Sequence, residues 1–223
     1  MEGVILMGIH QYFQSLSDLE NIYRCPGKFK YQEHSVAEHS FKVTQIAQFF
    51  GNVEEQAGNE VDWRSLYERA LNHDYSELFI GDIKTPVKYA TAELREMLSE
   101  VEESMTQNFI EREIPEEFQP TYRHLLKEGK DMTLEGKILA ISDKVDLLYE
   151  SFGEIRKGNP ENIFVEIYSE ALATIYEYRD MESVKYFLRE ILPDMLGEKG
   201  IRKTDLPELT AEITTKALQD GQN

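Results

Sequence analysis

The sequence predicts an all-α fold, a single-domain helical bundle. Apolar residues recur at helical spacing along nearly the whole chain from Ile9 to Leu196. Strand-like alternation closed by turn dipeptides is scarce. Only 7 prolines interrupt 223 residues, so few helices need to break.

The elements follow in order. A first helix is expected over residues 9–23, then a loop that begins Arg24-Cys25-Pro26-Gly27 and runs to about His34. A second helix covers 35–56, and a third covers 62–74 with Asp62 as its N-cap. The pattern breaks between Gly81 and Pro86. Helices then fit 90–112, 116–128, 133–153, 160–178 and 182–196. Asn159-Pro160 reads as an N-cap followed by proline at the first helical position. Residues 1–196 form the expected domain, and 197–223 form a polar tail. Leu206, Leu209, Ile213 and Ala217 share one helical face there, which either docks back or frays.

Composition narrows the function. Hydrophobic residues make up 41% of the chain, enough for a core, and a charged share of 30% solvates the surface. The net charge of −18 argues against a nucleic-acid polymer as partner, which would need a basic footprint. A small phosphate ester is compatible, because a metal and a few local cations hold one against a negative surround. The lone Cys25 rules out a disulfide within the chain and suits a reducing cytoplasm. The first residues have no basic n-region, and no stretch has the length of a membrane span, so neither a signal peptide nor a membrane is expected.

A few residues stand out as chemistry. His39, Val43, Ile46 and Phe50 fall at i, i+4, i+7 and i+11, which puts His39 on the buried stripe of its helix. Alone, such a histidine is more often a core residue than a ligand. His73-Asp74 ends the third helix and offers an imidazole nitrogen and a carboxylate oxygen to one ion. For the dipeptide alone, a C-terminal histidine favoured by the helix dipole, with an aspartate beside it, is the better explanation. The helix over 133–153 is apolar on both sides: Leu134, Ile138, Ile141, Val145 and Leu148 on one, Leu139, Ala140 and Leu147 on the other. Asp143 lies on the second side and Asp146 nearby. A carboxylate there needs a cation, hydrogen bonds or a metal, and spacing does not choose between the two. After the His-Asp pair, Glu77, Asp82, Lys84 and Lys88 bracket the break, where a phosphate would find acid–base groups and cations.

Taken together, His39, then His73-Asp74, then a distant aspartate resemble the HD-domain phosphohydrolase superfamily. The strings Ile22-Tyr23-Arg24-Cys25-Pro26, Val36-Ala37-Glu38-His39-Ser40, His73-Asp74-Tyr75-Ser76-Glu77, Gly81-Asp82-Ile83-Lys84-Thr85-Pro86-Val87-Lys88-Tyr89 and Ser142-Asp143-Lys144-Val145-Asp146 resemble the bacterial 5′-deoxynucleotidase subfamily. That resemblance implies a helical metal-dependent phosphohydrolase acting on nucleoside 5′-monophosphates. It implies a divalent cation (Mn, Co, Mg or Fe) held by His39, His73, Asp74 and Asp143, which selects Asp143 over Asp146. Glu77 and Asp82 would be the catalytic carboxylates, and Arg24, Cys25, Thr85 and Lys88 would line the substrate. A nucleotide as small-molecule partner and a homodimer are implied as well. Cys25 departs from the family, which has a tryptophan after the arginine that helps reject the ribose 2′-hydroxyl. Strict deoxyribonucleotide preference therefore does not carry over. His34, five residues before His39, reads as a polar loop residue. The rival readings are a nucleoside triphosphate or alarmone pyrophosphohydrolase and a non-catalytic nucleotide-binding module.

Overall fold

The computed structural model describes residues 9–81, 83, 90–126, 129–198 and 204–220. Among them there is no strand, only an isolated antiparallel bridge between Tyr23 and Ser35. The helices are α1 Ile9–Asp18, α2 Val36–Gln56, α3 Trp63–Asn72, α4 Glu77–Ile80, α5 Ala92–Glu113, α6 Gln119–Leu125, α7 Leu134–Arg156 and α8 Ile163–Glu177. Then come α9 Glu182–Tyr186, α10 Leu192–Gly197 and α11 Leu206–Asp220. Asp82, Thr85 and Lys88 lie outside the described residues.

Short polar side chains start the helices by satisfying the orphan amides of the first turn. Asp62 Oδ1 accepts from the Ser65 amide at 3.0 Å, the expected cap of α3. Thr91 and Thr133 cap α5 and α7 in the same way, each at 3.1 Å. At α2, Ser35 Oγ accepts from the Glu38 amide at 3.2 Å, and Glu38 Oε2 accepts from the Ser35 amide at 2.8 Å. This reciprocal capping box fixes where α2 begins.

The contacts form two compact units. The first takes the described residues of Met1–Gly27, Glu33–Phe41 and Leu71–Gly129. Its core is Leu19, Val36, Tyr75, Ile110, Ile114 and Leu126, with Tyr12, Phe79 and Phe109 packed against them. The second takes the described residues of Lys28–Gln32, Lys42–Ala70 and Lys130–Asn223. Val43, Ala47 and Phe50 of α2 share its core with residues of α3, α7, α8, α9 and α10 and with Leu206 of α11. α7 runs through this core. Ile138, Ile141, Val145, Leu148 and Phe152 are buried along one stripe, and Leu139, Ser142 and Asp143 are buried beyond it. At ~1.5–3 kcal/mol for each large apolar side chain removed from water, that stripe fixes α7 firmly. Beyond 197, α11 packs on α8, where the buried Thr210 hydroxyl meets the Tyr168 hydroxyl at 2.8 Å.

Three sequence expectations are corrected. The first helix stops at Asp18 and continues as a 3-10 turn over Leu19–Asn21. The chain then needs its amides elsewhere: the Val36 amide donates to Ile22 O and the Arg24 amide to His34 O, both at 2.9 Å. Asn159 does not cap α8, which begins at Ile163. Its Oδ1 accepts from the Glu161 amide, while its Nδ2 donates to Glu154 Oε2 at 2.6 Å and to Phe29 O at 3.0 Å. Glu154, buried in α7, also accepts from the Tyr31 and Gln32 amides, so the asparagine is held by that carboxylate rather than by the helix. The stretch read as one helix over 182–196 passes through a π turn at Phe187–Ile191. Pro193, which has no amide hydrogen to give the ladder, sits in the first turn of α10 that follows.

Candidate metal centre

The capping box at Ser35 and Glu38 places His39 in the first turn of α2. There the helix turns its buried side inward, and the His39 side chain has no exposure at all. The antiparallel bridge one residue ahead of α2 pairs the Arg24 segment with His34–Val36 and so brings Arg24 to the same end of the helix. Cys25, next to Arg24, takes φ 52°, in the left-handed region.

His73 and Asp74 lie in the tight turn between α3, which ends at Asn72, and α4, which starts at Glu77. Backbone bonds from Tyr75 N to Asn72 O at 3.0 Å and from Glu77 N to Asp74 O at 3.1 Å tie this turn at both ends. His73 is as fully buried as His39, and its Nε2 faces His39 Nε2 at 3.2 Å. Asp74 Oδ2 lies 3.3 Å from His39 Nε2 and 3.4 Å from His73 Nε2. Arg24 Nη1 reaches the same Oδ2 at 3.4 Å.

These three donor atoms fit a divalent ion. Sides of 3.2, 3.3 and 3.4 Å put each corner about 1.9 Å from the centre of the triangle, and metal–nitrogen and metal–oxygen bonds are about 2.0–2.2 Å. Without an ion, opposite tautomers let one Nε2–H donate to the other ring at 3.2 Å, and Arg24 Nη1 lies 3.4 Å from Asp74 Oδ2. Two imidazoles with a carboxylate are also a usual donor set for a divalent ion.

In the second unit, Asp143 is buried on α7. Its Oδ2 is 3.0 Å from Lys130 Nζ and 3.6 Å from Lys144 Nζ. Asp146 is buried as well, with Lys42 Nζ 3.7 Å from its Oδ1 and the same distance from Glu150 Oε1. Glu77 opens α4, half-buried. His34 is a half-buried loop residue whose carbonyl takes the Arg24 amide.

Two features were missed in the sequence. The string Ser35-Val36-Ala37-Glu38 is a capping-box signature that marks the start of α2 independently of the apolar spacing. Lys130 sits among polar loop residues and gave no periodic signal. Asp131 and Thr133 hold its loop: Asp131 Oδ1 accepts from the Thr133 amide at 2.9 Å and from the Thr133 hydroxyl, and Arg69 Nη1 meets Asp131 Oδ2 at 2.8 Å.

A model of the YfbR-like 5′-deoxynucleotidases matches residues 11–195. The chain belongs to this family. A curated YfbR-like relative, the 5′-deoxynucleotidase YfbR of Escherichia coli O1:K1 / APEC, is 26% identical over 183 residues, which is 82% of this chain and 90% of that protein. Among solved structures, an HD-domain phosphohydrolase from Listeria innocua is 89% identical with a TM-score of 0.90, over 94% of this chain and 100% of the other. A cyanophage S-2L HD phosphohydrolase, DatZ, bound to dA and one catalytic Zn2+ ion, has a TM-score of 0.60. It is 17% identical over 82% of this chain and 95% of its own, and so shares the fold. This member of the YfbR-like family is thus an all-α HD-domain protein and a metal-dependent phosphohydrolase, as its motifs imply. Among the described residues no helix is long and apolar enough to cross a membrane.

Proposed function

We propose that this chain hydrolyses nucleoside 5′-monophosphates to nucleoside and free phosphate, using a divalent cation held by His39, His73, Asp74 and Asp143. The observation that carries the reading is the convergence of His39 Nε2, His73 Nε2 and Asp74 Oδ2 within 3.4 Å of one another. Asp143 joins the set on the family resemblance. The substrate class follows the family and the dA held by the cyanophage neighbour.

A divalent ion in this site supplies Lewis acidity, which lowers the pKa of a water and neutralises charge developing on phosphorus. The protein does the rest. Water attacks phosphorus in line with the sugar 5′-oxygen, a new P–O bond forms, and the bond to the 5′-oxygen breaks. Glu77 takes the proton of the attacking water. Asp82 serves the leaving 5′-oxygen, which needs a proton, or holds the sugar hydroxyls. Arg24 and Lys88 stabilise the equatorial oxygens, and Thr85 and Cys25 line the substrate. Two buried imidazole nitrogens favour manganese, cobalt or iron over magnesium, a hard ion that prefers oxygen. The Zn2+ of the cyanophage neighbour adds zinc to the panel.

Cys25 separates this chain from the strict deoxyribonucleotidases. A thiol fills far less volume than an indole, and at φ 52° a bulky residue would be strained. Deoxyribo- and ribonucleotides should therefore react at rates within about tenfold of each other, about 1.4 kcal/mol in transition-state free energy. A cytoplasmic setting and a homodimer complete the reading, the latter checked by light scattering.

The test uses chelator-stripped protein, a panel of metals and separate assays for phosphate and pyrophosphate. His73→Ala and Asp74→Ala should each abolish metal-dependent phosphate release. Glu77→Ala should keep the metal and lose most of the rate. Near-normal turnover in either ligand variant contradicts the site, and loss of metal in Glu77→Ala makes that residue a ligand instead.

A further inference from the structure

We infer that Tyr75 is a positioning residue for the metal centre, acting through a buried hydrogen bond to Ser15 of α1. This rests on the reading of His39, His73 and Asp74 as metal ligands.

Asp74 is not fixed by a helical ladder. It lies in a turn between two helices, together with His73. A ligand on a turn needs support from outside the turn if its oxygen is to stay within a few tenths of an ångström of the ion. Tyr75, the next residue, supplies that support. Its side chain is 3% exposed, and its ring centroid lies 5.8 Å from Tyr12, 5.8 Å from Phe109 and 6.2 Å from Phe79. Aromatic rings of α1, α4 and α5 therefore hold the ring from several sides.

The hydroxyl at the tip of that ring is held as well. Tyr75 Oη and Ser15 Oγ are 2.7 Å apart, in a buried bond spanning 60 residues of sequence. Ser15 is the residue of α1 that is buried, an unusual choice on a face where an apolar side chain would pack at no polar cost. Its hydroxyl donates to Tyr12 O at 2.6 Å, which leaves its oxygen to accept from the Tyr75 hydroxyl. The chain from Tyr12 O through Ser15 Oγ to Tyr75 Oη pins the far end of a rigid side chain. The near end is the backbone from which Asp74 projects.

Tyr75→Phe removes this link cleanly, because Ser15 keeps Tyr12 O as its acceptor and the ring keeps its packing. The test titrates cobalt into chelator-stripped protein, read by visible absorbance, alongside thermal unfolding of the metal-free form. Ile110→Val, a small deletion in the same core, controls for lost stability. His73→Ala controls for the site itself. Tyr75→Phe should raise the cobalt dissociation constant about tenfold, the low end of what loss of a direct outer-shell contact costs, because this link acts on Asp74 only through the backbone. Ile110→Val should lower the unfolding temperature and leave that constant within twofold, and His73→Ala should bind no cobalt. Tyr75→Phe within twofold of wild type, or Ile110→Val weakening cobalt as much, overturns the positioning role. Full binding by His73→Ala removes the metal site, and this inference with it.

Discussion

Replacing Gly136 by alanine sets two effects of opposite sign against each other. Gly136 lies in the first turn of α7, where alanine is the better helix former by about 1 kcal/mol. A Cβ there would stand 2.1 Å from Asp131 Oδ1, 2.6 Å from Asp131 N and 2.7 Å from Asp131 O. Two of these atoms are backbone, so the loop itself must move. Overpacking of this kind costs roughly 1–3 kcal/mol. Moving Asp131 also disturbs the Thr133 cap, worth about 1 kcal/mol. The cost outweighs the propensity gain, for a net loss of about 2 kcal/mol, or about 4–8 °C in Tm for a chain of this size. The same loop carries Lys130, which is 3.0 Å from Asp143, so phosphate release should fall with stability. Thermal unfolding by circular dichroism and a phosphate assay on one preparation measure both. A Gly136→Ala protein as stable as wild type would refute the claim that this close approach requires glycine.

The Asp131 carboxyl is held down to about 2 by the Thr133 hydroxyl first, then by the Arg69 guanidinium and the Thr133 amide. Its folded pKa lies below the unfolded value, so its contribution to stability is present above about pH 4 and is lost as pH falls toward 2. Asp131→Asn should therefore lose stability less steeply than wild type across that window; parallel unfolding curves between pH 4 and 2 would contradict this. Deoxyadenosine and adenosine monophosphates should be cleaved at rates within about tenfold, because Cys25 cannot exclude a ribose hydroxyl as an indole does. A preference of a thousandfold for the deoxy sugar would show that another residue does that work.

The helices were legible because their apolar spacing matches burial. Val43 and Phe50 on α2 and Ile138, Ile141, Val145 and Leu148 on α7 are all in the core. The depth of His39 was legible for the same reason. Periodicity could not separate Asp143 from Asp146. α7 is buried on both sides, both carboxylates are buried, and each has a lysine within 4 Å, Lys130 for one and Lys42 for the other. Asn159 misled because its short polar side chain suits an N-cap, yet the helix starts only at Ile163: Asn159 Oδ1 accepts from the Glu161 amide in the turn ahead of it, and the buried Glu154 holds Asn159 Nδ2. Local pattern carries no record of a partner that is distant in sequence or buried elsewhere in the fold. The Ser15 hydroxyl that meets Tyr75 was hidden for that reason too.

The central claim is tested most directly by loading chelator-stripped wild type and His73→Ala with manganese, cobalt or zinc and assaying nucleoside mono- and triphosphates. The account predicts free phosphate from monophosphates, restored by metal in wild type and absent in His73→Ala. Pyrophosphate released from triphosphates, or turnover in His73→Ala equal to wild type, would contradict it.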